Sequence, residues 1–221
     1  MLVKNRKVIV MGRPGVGKTA LVNRLVGIGA GDGSALPSSS TFTDAYLPTL
    51  ETTNRTEVTV RGQRYQLDVI DTSGQSQDDL SAVPLAHSMN VDGYVLVYSV
   101  VEPESFDAVE GIHRRLAAAT GRKNIPAVIV GNMVDLVGPT SAADPDVVDR
   151  ERGRQLAARL HASHVETSAK DDSNVALVLD LLLRDVQLAE GDLTPPTKTR
   201  KSWKKTKRTL WKSLSCVSGR T

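Results

Sequence analysis

Gly12-Arg13-Pro14-Gly15-Val16-Gly17-Lys18-Thr19 follows the pattern G-x-x-x-x-G-K-[ST] of a phosphate-binding loop. The flanks make the match informative. Arg6-Lys-Val-Ile-Val-Met11 is a short, β-branched apolar run that reads as a buried strand, and Ala20-Leu-Val-Asn-Arg-Leu-Val26 repeats apolar residues at helical spacing. Strand, glycine-rich turn and helix form the setting such a loop needs. The glycines let backbone N–H groups close on phosphate oxygens, and the positive end of the helix faces the same anion. In that setting Lys18 reaches the β/γ-phosphates and the Thr19 hydroxyl ligates Mg²⁺.

Three later segments narrow the ligand. Leu67-Asp-Val-Ile-Asp71 is an apolar strand ending in a carboxylate that can hold Mg²⁺ through water. In the Thr72-Ser-Gly74-Gln75 that follows, the Gly74 N–H can bond a γ-phosphate and Gln75 can orient an attacking water. Ala127-Val-Ile-Val-Gly-Asn132-Met-Val-Asp135 delivers Asn132 and Asp135 at the end of another buried strand. A carboxylate at Asp135 accepts two hydrogen bonds from guanine, whereas adenine lacks those donors and leaves the charge unpaired. Val165-Glu-Thr-Ser168-Ala169-Lys170 supplies turn N–H groups where a guanine carbonyl would lie. All four segments fall at carboxyl ends of expected parallel strands, where ligands bind in open α/β sheets.

Between them the chain alternates. Asn54–Val60 and Gln63–Asp71 read as strands paired about a turn at Arg61-Gly62, and Val91–Val100 as a further strand. Pro103–Thr120 reads as a helix with proline in its first turn. Gly138–Pro145 is a turn-rich loop, Asp146–Leu160 a helix, and Val175–Ala189 a last helix with an apolar stripe through Val178, Leu181, Leu182 and Val186. This order specifies an α/β fold: a doubly wound, mostly parallel six-stranded sheet with helices on both faces.

Taken together, from about Arg6 to Ala189, the chain resembles a Ras-superfamily small GTPase, and within it the Ras subfamily and its Rheb-like members. The Rheb-like lean rests on Asp92–Val100, Ser105-Phe106, Ile112-His113 and Ile125–Gly131. The resemblance implies a P-loop GTPase domain over residues 1–190 that binds GTP, GDP and Mg²⁺ and hydrolyses GTP. It implies that Phe42 packs on the guanine, that Tyr46 closes over the phosphates and that Thr49 is a second Mg²⁺ ligand beside Thr19 and Asp71. Gly12, Gly15, Val16, Gly17, Lys18, Thr19, Ala20, Phe42, Tyr46, Thr49, Gly74, Asn132, Asp135, Ser168, Ala169 and Lys170 would contact nucleotide, with Lys18 and Gln75 catalytic. Pro48-Thr-Leu-Glu51 and the second switch after Gln75 would meet effectors, and GTPase-activating and exchange proteins are the implied regulators.

Several departures stand out. The family's Asn-Lys-x-Asp is Asn132-Met133-Val134-Asp135 here, so a thioether replaces the ammonium that normally lies along the base. Pro14 stands where typical Ras members have glycine, and it removes one N–H donor close to where Gln75 must work. Ser76-Gln-Asp-Asp79 replaces an acidic-aromatic run. Gly27-Ile-Gly-Ala-Gly-Asp-Gly-Ser-Ala-Leu-Pro-Ser-Ser-Ser40 extends the first switch, giving an insertion over 27–41 that reads as a disordered linker or a functional loop. Two function classes follow: a slow GTPase switch signalling at a membrane, or a non-catalytic, constitutively GTP-bound scaffold shifted there by Pro14 and Met133.

Charge divides the chain. From Asp192 onward nine Lys or Arg stand against one acid, so this stretch carries +8 and the preceding residues −5 of a total +3. Residues 191–221 form a basic tail in which Trp203, Leu210, Trp211 and Leu214 interleave with the bases, the composition of an interfacial segment on an anionic membrane. The 198–214 stretch is therefore expected to reach such a membrane as a disordered or amphipathic segment. A solvated tail, a calmodulin-like partner or nucleic acid are the lesser alternatives; the acidic globe with its phosphate and base motifs argues against nucleic acid. Cys216, the single cysteine, excludes an internal disulfide, fits a reducing compartment and is an acylation candidate. It lies too far from Thr221 to be a C-a-a-X cysteine. Met1-Leu-Val-Lys-Asn leads straight into the first strand with no charged-then-apolar leader. The expected location is cytoplasmic, peripheral on the cytoplasmic face of a membrane. His161-Ala-Ser-His164 reads as structural or solvated rather than metal-binding.

Overall fold

The computed structural model describes residues 2–29, 52–72, 90–138 and 146–191. Its elements run β1 (Lys4–Met11), α1 (Lys18–Gly29), β2 (Thr52–Val60), β3 (Gln63–Asp71), β4 (Gly93–Ser99), α2 (Pro103–Thr120), β5 (Ala127–Asn132), a 3₁₀ turn (Val134–Leu136), α3 (Arg150–Leu160), β6 (Ser163–Glu166) and α4 (Val175–Glu190). The six strands form one sheet in the order β2-β3-β1-β4-β5-β6. β2 is antiparallel to β3, and the other pairings are parallel.

Alternation along the strands sorts the core into two layers. Val8 and Val10 of β1, Leu67 and Val69 of β3, and Val95 and Val97 of β4 face α1 and α4, meeting Leu21, Leu25, Val178 and Leu182. Their neighbours Ile9, Met11, Ile70, Tyr94, Leu96 and Tyr98 face α2 and α3, meeting Phe106, Val109, Ile112 and Leu156. Side chains on a strand point to opposite faces at a period of two, so strands buried on both sides read as continuous apolar runs. Every residue of β4 is buried for this reason.

The hairpin between β2 and β3 turns at Arg61 (φ 51°) and Gly62 (φ 77°), both in the left-handed region that a tight two-residue hairpin requires. Arg61 is held there by a forked pairing with Asp180 of α4 at 2.8 and 2.6 Å. α2 starts with Pro103 in its first turn and stops at Gly121 (φ 64°), whose N–H returns to Ala118 O.

Some boundaries differ from the sequence reading. α3 does not start at Asp146 but at Arg150, because Asp149 caps it: its carboxylate accepts from Arg152 N at 2.8 Å. Val148 just before the cap is buried, with its N–H on Val100 O at 2.8 Å, which pulls the preceding residues off the helix axis and against the end of β4. α1 runs through Gly29, so the first three residues of the stretch read as an insertion belong to the helix. Strand β4 is shorter at both ends than Val91–Val100. The rest of the insertion, the loop after Gly138 and the tail after Gly191 lie outside the described residues. Among the described residues no helix is long and apolar enough to cross a membrane.

Candidate nucleotide site

The carboxyl ends of β3 and β1, and beyond β4 those of β5 and β6, lie along one edge of the sheet, and the sequence-predicted site residues that are described cluster there. The loop after β1 needs its glycines. Gly12 (φ 152°), Gly15 (φ 83°) and Gly17 (φ 85°) all have positive φ. A Cβ on Gly12 would run into the Val97 carbonyl, and one on Gly17 into the Asn132 side chain. Gly15 has open space where its Cβ would be, so its requirement is conformational rather than steric.

Lys18 opens α1 and is only 6% exposed. Its Nζ donates to the Arg13 carbonyl at 2.8 Å, folding the side chain back over the loop. Burial lowers its pKa from the ordinary lysine value to about 8, and the nearby Asp71 carboxylate opposes that shift. A buried cation set beside one partly engaged carboxylate has capacity to gain an anion.

Thr19, the next residue, is exposed, and its Oγ1 donates to Asp71 Oδ2 at 2.7 Å. Asp71 ends β3 and is 1% exposed; its Oδ1 is buried without a partner among the described residues. Burial raises its pKa, against the Thr19 hydrogen bond and the Lys18 charge. An orphaned buried carboxylate oxygen is expensive. Beside an exposed hydroxyl it is the hard-oxygen donor pair that suits Mg²⁺, which keeps several of its waters and takes few protein ligands. The residues present therefore fit the ion, which when bound would neutralise charge on phosphate oxygens.

Asn132, the last residue of β5 and 2% exposed, joins the two halves of the site. Its Nδ2 donates to the Val16 carbonyl in the phosphate loop at 3.0 Å. Its Oδ1 accepts from Thr167 Oγ1 at 3.1 Å and from Ala169 N at 3.2 Å in the loop after β6. Asp135 sits in the 3₁₀ turn with Oδ1 accepting from Ser168 Oγ at 2.6 Å. The buried Ser168 Oγ also accepts from Asp171 N at 3.0 Å. Among the turn N–H groups of this segment, that of Ala169 is directed at Asn132. Met133 takes φ 68°, a left-handed conformation unusual for a non-glycine residue, and its sulfur accepts from Ser99 Oγ at 3.4 Å. That backbone turn sets Asp135 beside Ser168.

Phe42, Tyr46, Thr49, Gly74 and Gln75, the effector segment Pro48–Glu51 and the second switch lie outside the described residues. His161 is the exposed left-handed cap of α3, and His164 bonds Tyr98 Oη through Nε2 at 3.1 Å. Three residues that the sequence reading left without a role belong to the site's surroundings. Thr167 is fully buried on Asn132. Arg13 pairs with Glu104 at 2.7 Å, fastening the phosphate loop to the start of α2. Arg24 of α1 reaches the carbonyls of Ala169 and Lys170, both at 2.9 Å. A lone arginine in a helix gives no sequence signal for such a contact.

The Ras family model matches residues 7–188 of the chain. The chain belongs to the Ras family. It is similar to the GTP-binding protein Rheb of Mus musculus, 33% identical over 85% of this chain and 91% of that protein. It is similar also to the GTP-binding protein Rheb homolog 1 of Caenorhabditis elegans, 34% identical over 86% of this chain and 83% of that protein. The GTP-binding protein rhb1 of Schizosaccharomyces pombe is 30% identical over 88% of this chain and 94% of that protein. The small-GTPase fold expected from the motifs is the one observed, and the Rheb-like lean agrees with these relatives.

With Lys18 on the phosphates, as the motif implies, nucleotide binding would be pH-dependent in a defined direction. Below about pH 8 the free protein already carries the ammonium, so phosphate gains the full charge. Above that value the free protein must first take up a proton, while bound phosphate holds the proton on. Nucleotide affinity should therefore be level from pH 6.5 to about 8 and fall by up to about tenfold per unit above it. Equilibrium titration of labelled GDP across this range checks it, and a level profile to pH 9.5 would contradict it.

Proposed function

We propose that this small GTPase is a guanine-nucleotide switch that hydrolyses GTP slowly by itself, faster with an activating protein, and signals to effectors from a membrane surface. The observation that carries the reading is the Thr19–Asp71 pair with its orphaned Oδ1, set beside the buried Lys18. Its three groups would hold Mg²⁺ and the β/γ-phosphates of a bound triphosphate. Asp135, with Ser168 fixing one of its oxygens, would take the donors on the guanine edge. The similarity to the GTP-binding protein Rheb and its homolog supports the same ligand.

In this reading Thr19 and Asp71 would hold the ion in both nucleotide states and Thr49 would help hold it only with triphosphate, so that the first switch would be ordered on GTP and released after hydrolysis. Gln75 orients the attacking water, and Lys18 stabilises charge developing on the leaving oxygens. Pro48–Glu51 and the second switch present the state to effectors, and exchange proteins reload it. The basic tail keeps the protein on the cytoplasmic face of a membrane, its lysines near anionic headgroups at about 1 kcal/mol each and its tryptophans in the interface. Acylation of Cys216 would add a second anchor.

Single-turnover GTP hydrolysis tests the switch. Gln75→Leu should slow it by about tenfold or more, with GTP affinity kept, because only transition-state positioning is lost. Equal rates in the variant and the unmodified protein, with or without an activating protein, would favour the constitutively GTP-bound scaffold.

Vesicle binding tests the tail. The full chain should bind anionic vesicles and not neutral ones, with part of the binding surviving at high salt because apolar burial is not screened. Replacing Trp203 and Trp211 by alanine should remove the salt-resistant part and leave low-salt binding. Tight binding to neutral vesicles would contradict the electrostatic half of the proposal.

A further inference from the structure

Arg24 stands six residues beyond Lys18 on α1, about 9 Å further along the axis at 1.5 Å per residue. The helix thus meets the phosphate loop at its first turn and the loop after β6 near its middle. At that second point the Arg24 Nε–H donates to Ala169 O and an Nη2–H to Lys170 O, each at 2.9 Å. A guanidinium carries these two donors side by side in one rigid plane, so it fits two successive carbonyls as a fork; an ammonium is a single point and cannot.

The same loop is gripped from its inner side by Asn132, which takes Ala169 N–H and the Thr167 hydroxyl. Ala169 is therefore fixed at both its N–H and its carbonyl. Ser168, one residue before it, is the partner of Asp135. Met133 brings no cation to this region, since its side chain ends in a thioether directed at Ser99. The positive charge that braces the base loop comes instead from α1.

We infer that Arg24 is a positioning residue for guanine-nucleotide retention: it locks the 168–170 loop against α1 so that Asp135 stays aimed at the base. This rests on the reading that Asp135 and this loop form the base site. Arg24 touches no nucleotide in this scheme. It acts through the Ala169 and Lys170 carbonyls, and through Ser168 on Asp135.

The test uses the full chain loaded with labelled GDP in Mg²⁺, chased with unlabelled GDP, beside the same measurement with IDP. IDP lacks the 2-amino group that Asp135 would read. Arg24→Met should speed GDP release about tenfold and bring the GDP and IDP release rates closer together, because a loosened Asp135 gains less from the 2-amino group. Arg24→Lys keeps the charge and the stem but reaches one carbonyl, so it should fall between the two proteins; it also carries the test if the methionine variant fails to fold. Unchanged GDP release in either variant overturns the inference. So does faster release with the GDP-to-IDP ratio preserved, which is what general weakening of the fold would give. Asp135→Asn, measured in parallel, should shift preference from guanine toward xanthine nucleotide. If it does so while Arg24→Met releases GDP normally, only the brace is wrong; if it keeps full guanine preference, the base is read elsewhere and the base-site reading falls with the brace.

Discussion

The Asn132 carboxamide holds together what the rest of this site depends on. It is a buried side chain that bridges two loops: its Nδ2 donates to Val16 in the phosphate loop, and its Oδ1 is shared by Thr167 and Ala169 in the loop after β6. A buried amide left unpaired costs about 1–3 kcal/mol, so the two loops cannot separate without that penalty. Its bulk also fills the space beside Gly17 that any side chain there would need. The glycine of the phosphate loop and the asparagine at the end of β5 are thus one packing requirement, although 115 positions separate them in the chain.

The sheet makes that arrangement possible. β1 lies between β3 and β4, and β5 between β4 and β6, so loops distant in sequence end on one rim. The two apolar layers leave the strands little freedom, since a one-residue slip would turn Val8, Val10, Leu67 and Val69 away from α1 and α4. On this rim the charge pattern is unequal. Lys18 loses solvation without gaining a full counter-charge, and Asp71 keeps one oxygen unbonded. In the proposed switch, phosphate and Mg²⁺ would give both groups what they lack.

Much of this was legible in the order of residues, and the reason differs from element to element. β3 and α2 could be bounded to the residue because local chemistry ends them: the Arg61-Gly62 turn, the Gly121 cap and Pro103. α3 could not, because Asp146 and Asp149 are both plausible caps and the choice is made by burial of Val148, a tertiary contact. In the candidate site, the residues proposed to touch the ligand directly belong to short motifs and can be read there. Residues that hold those motifs in place cannot. Thr167, Arg13 and Arg24 act through side-chain contacts reaching 35, 91 and 145–146 positions along the chain, and no periodicity or spacing records them.

Base discrimination by the unmodified full chain is the most direct check that these loops form one guanine-nucleotide site. Labelled GDP bound in Mg²⁺ would be displaced by GTP, ATP or XTP in turn. A carboxylate aimed at two guanine donors rejects a base that lacks one or both of them, so GTP should compete at about a hundredfold lower concentration than ATP or XTP, or lower still. Displacement by all three at similar concentrations would contradict a base site built on Asp135 and Ser168, whatever the phosphates were doing.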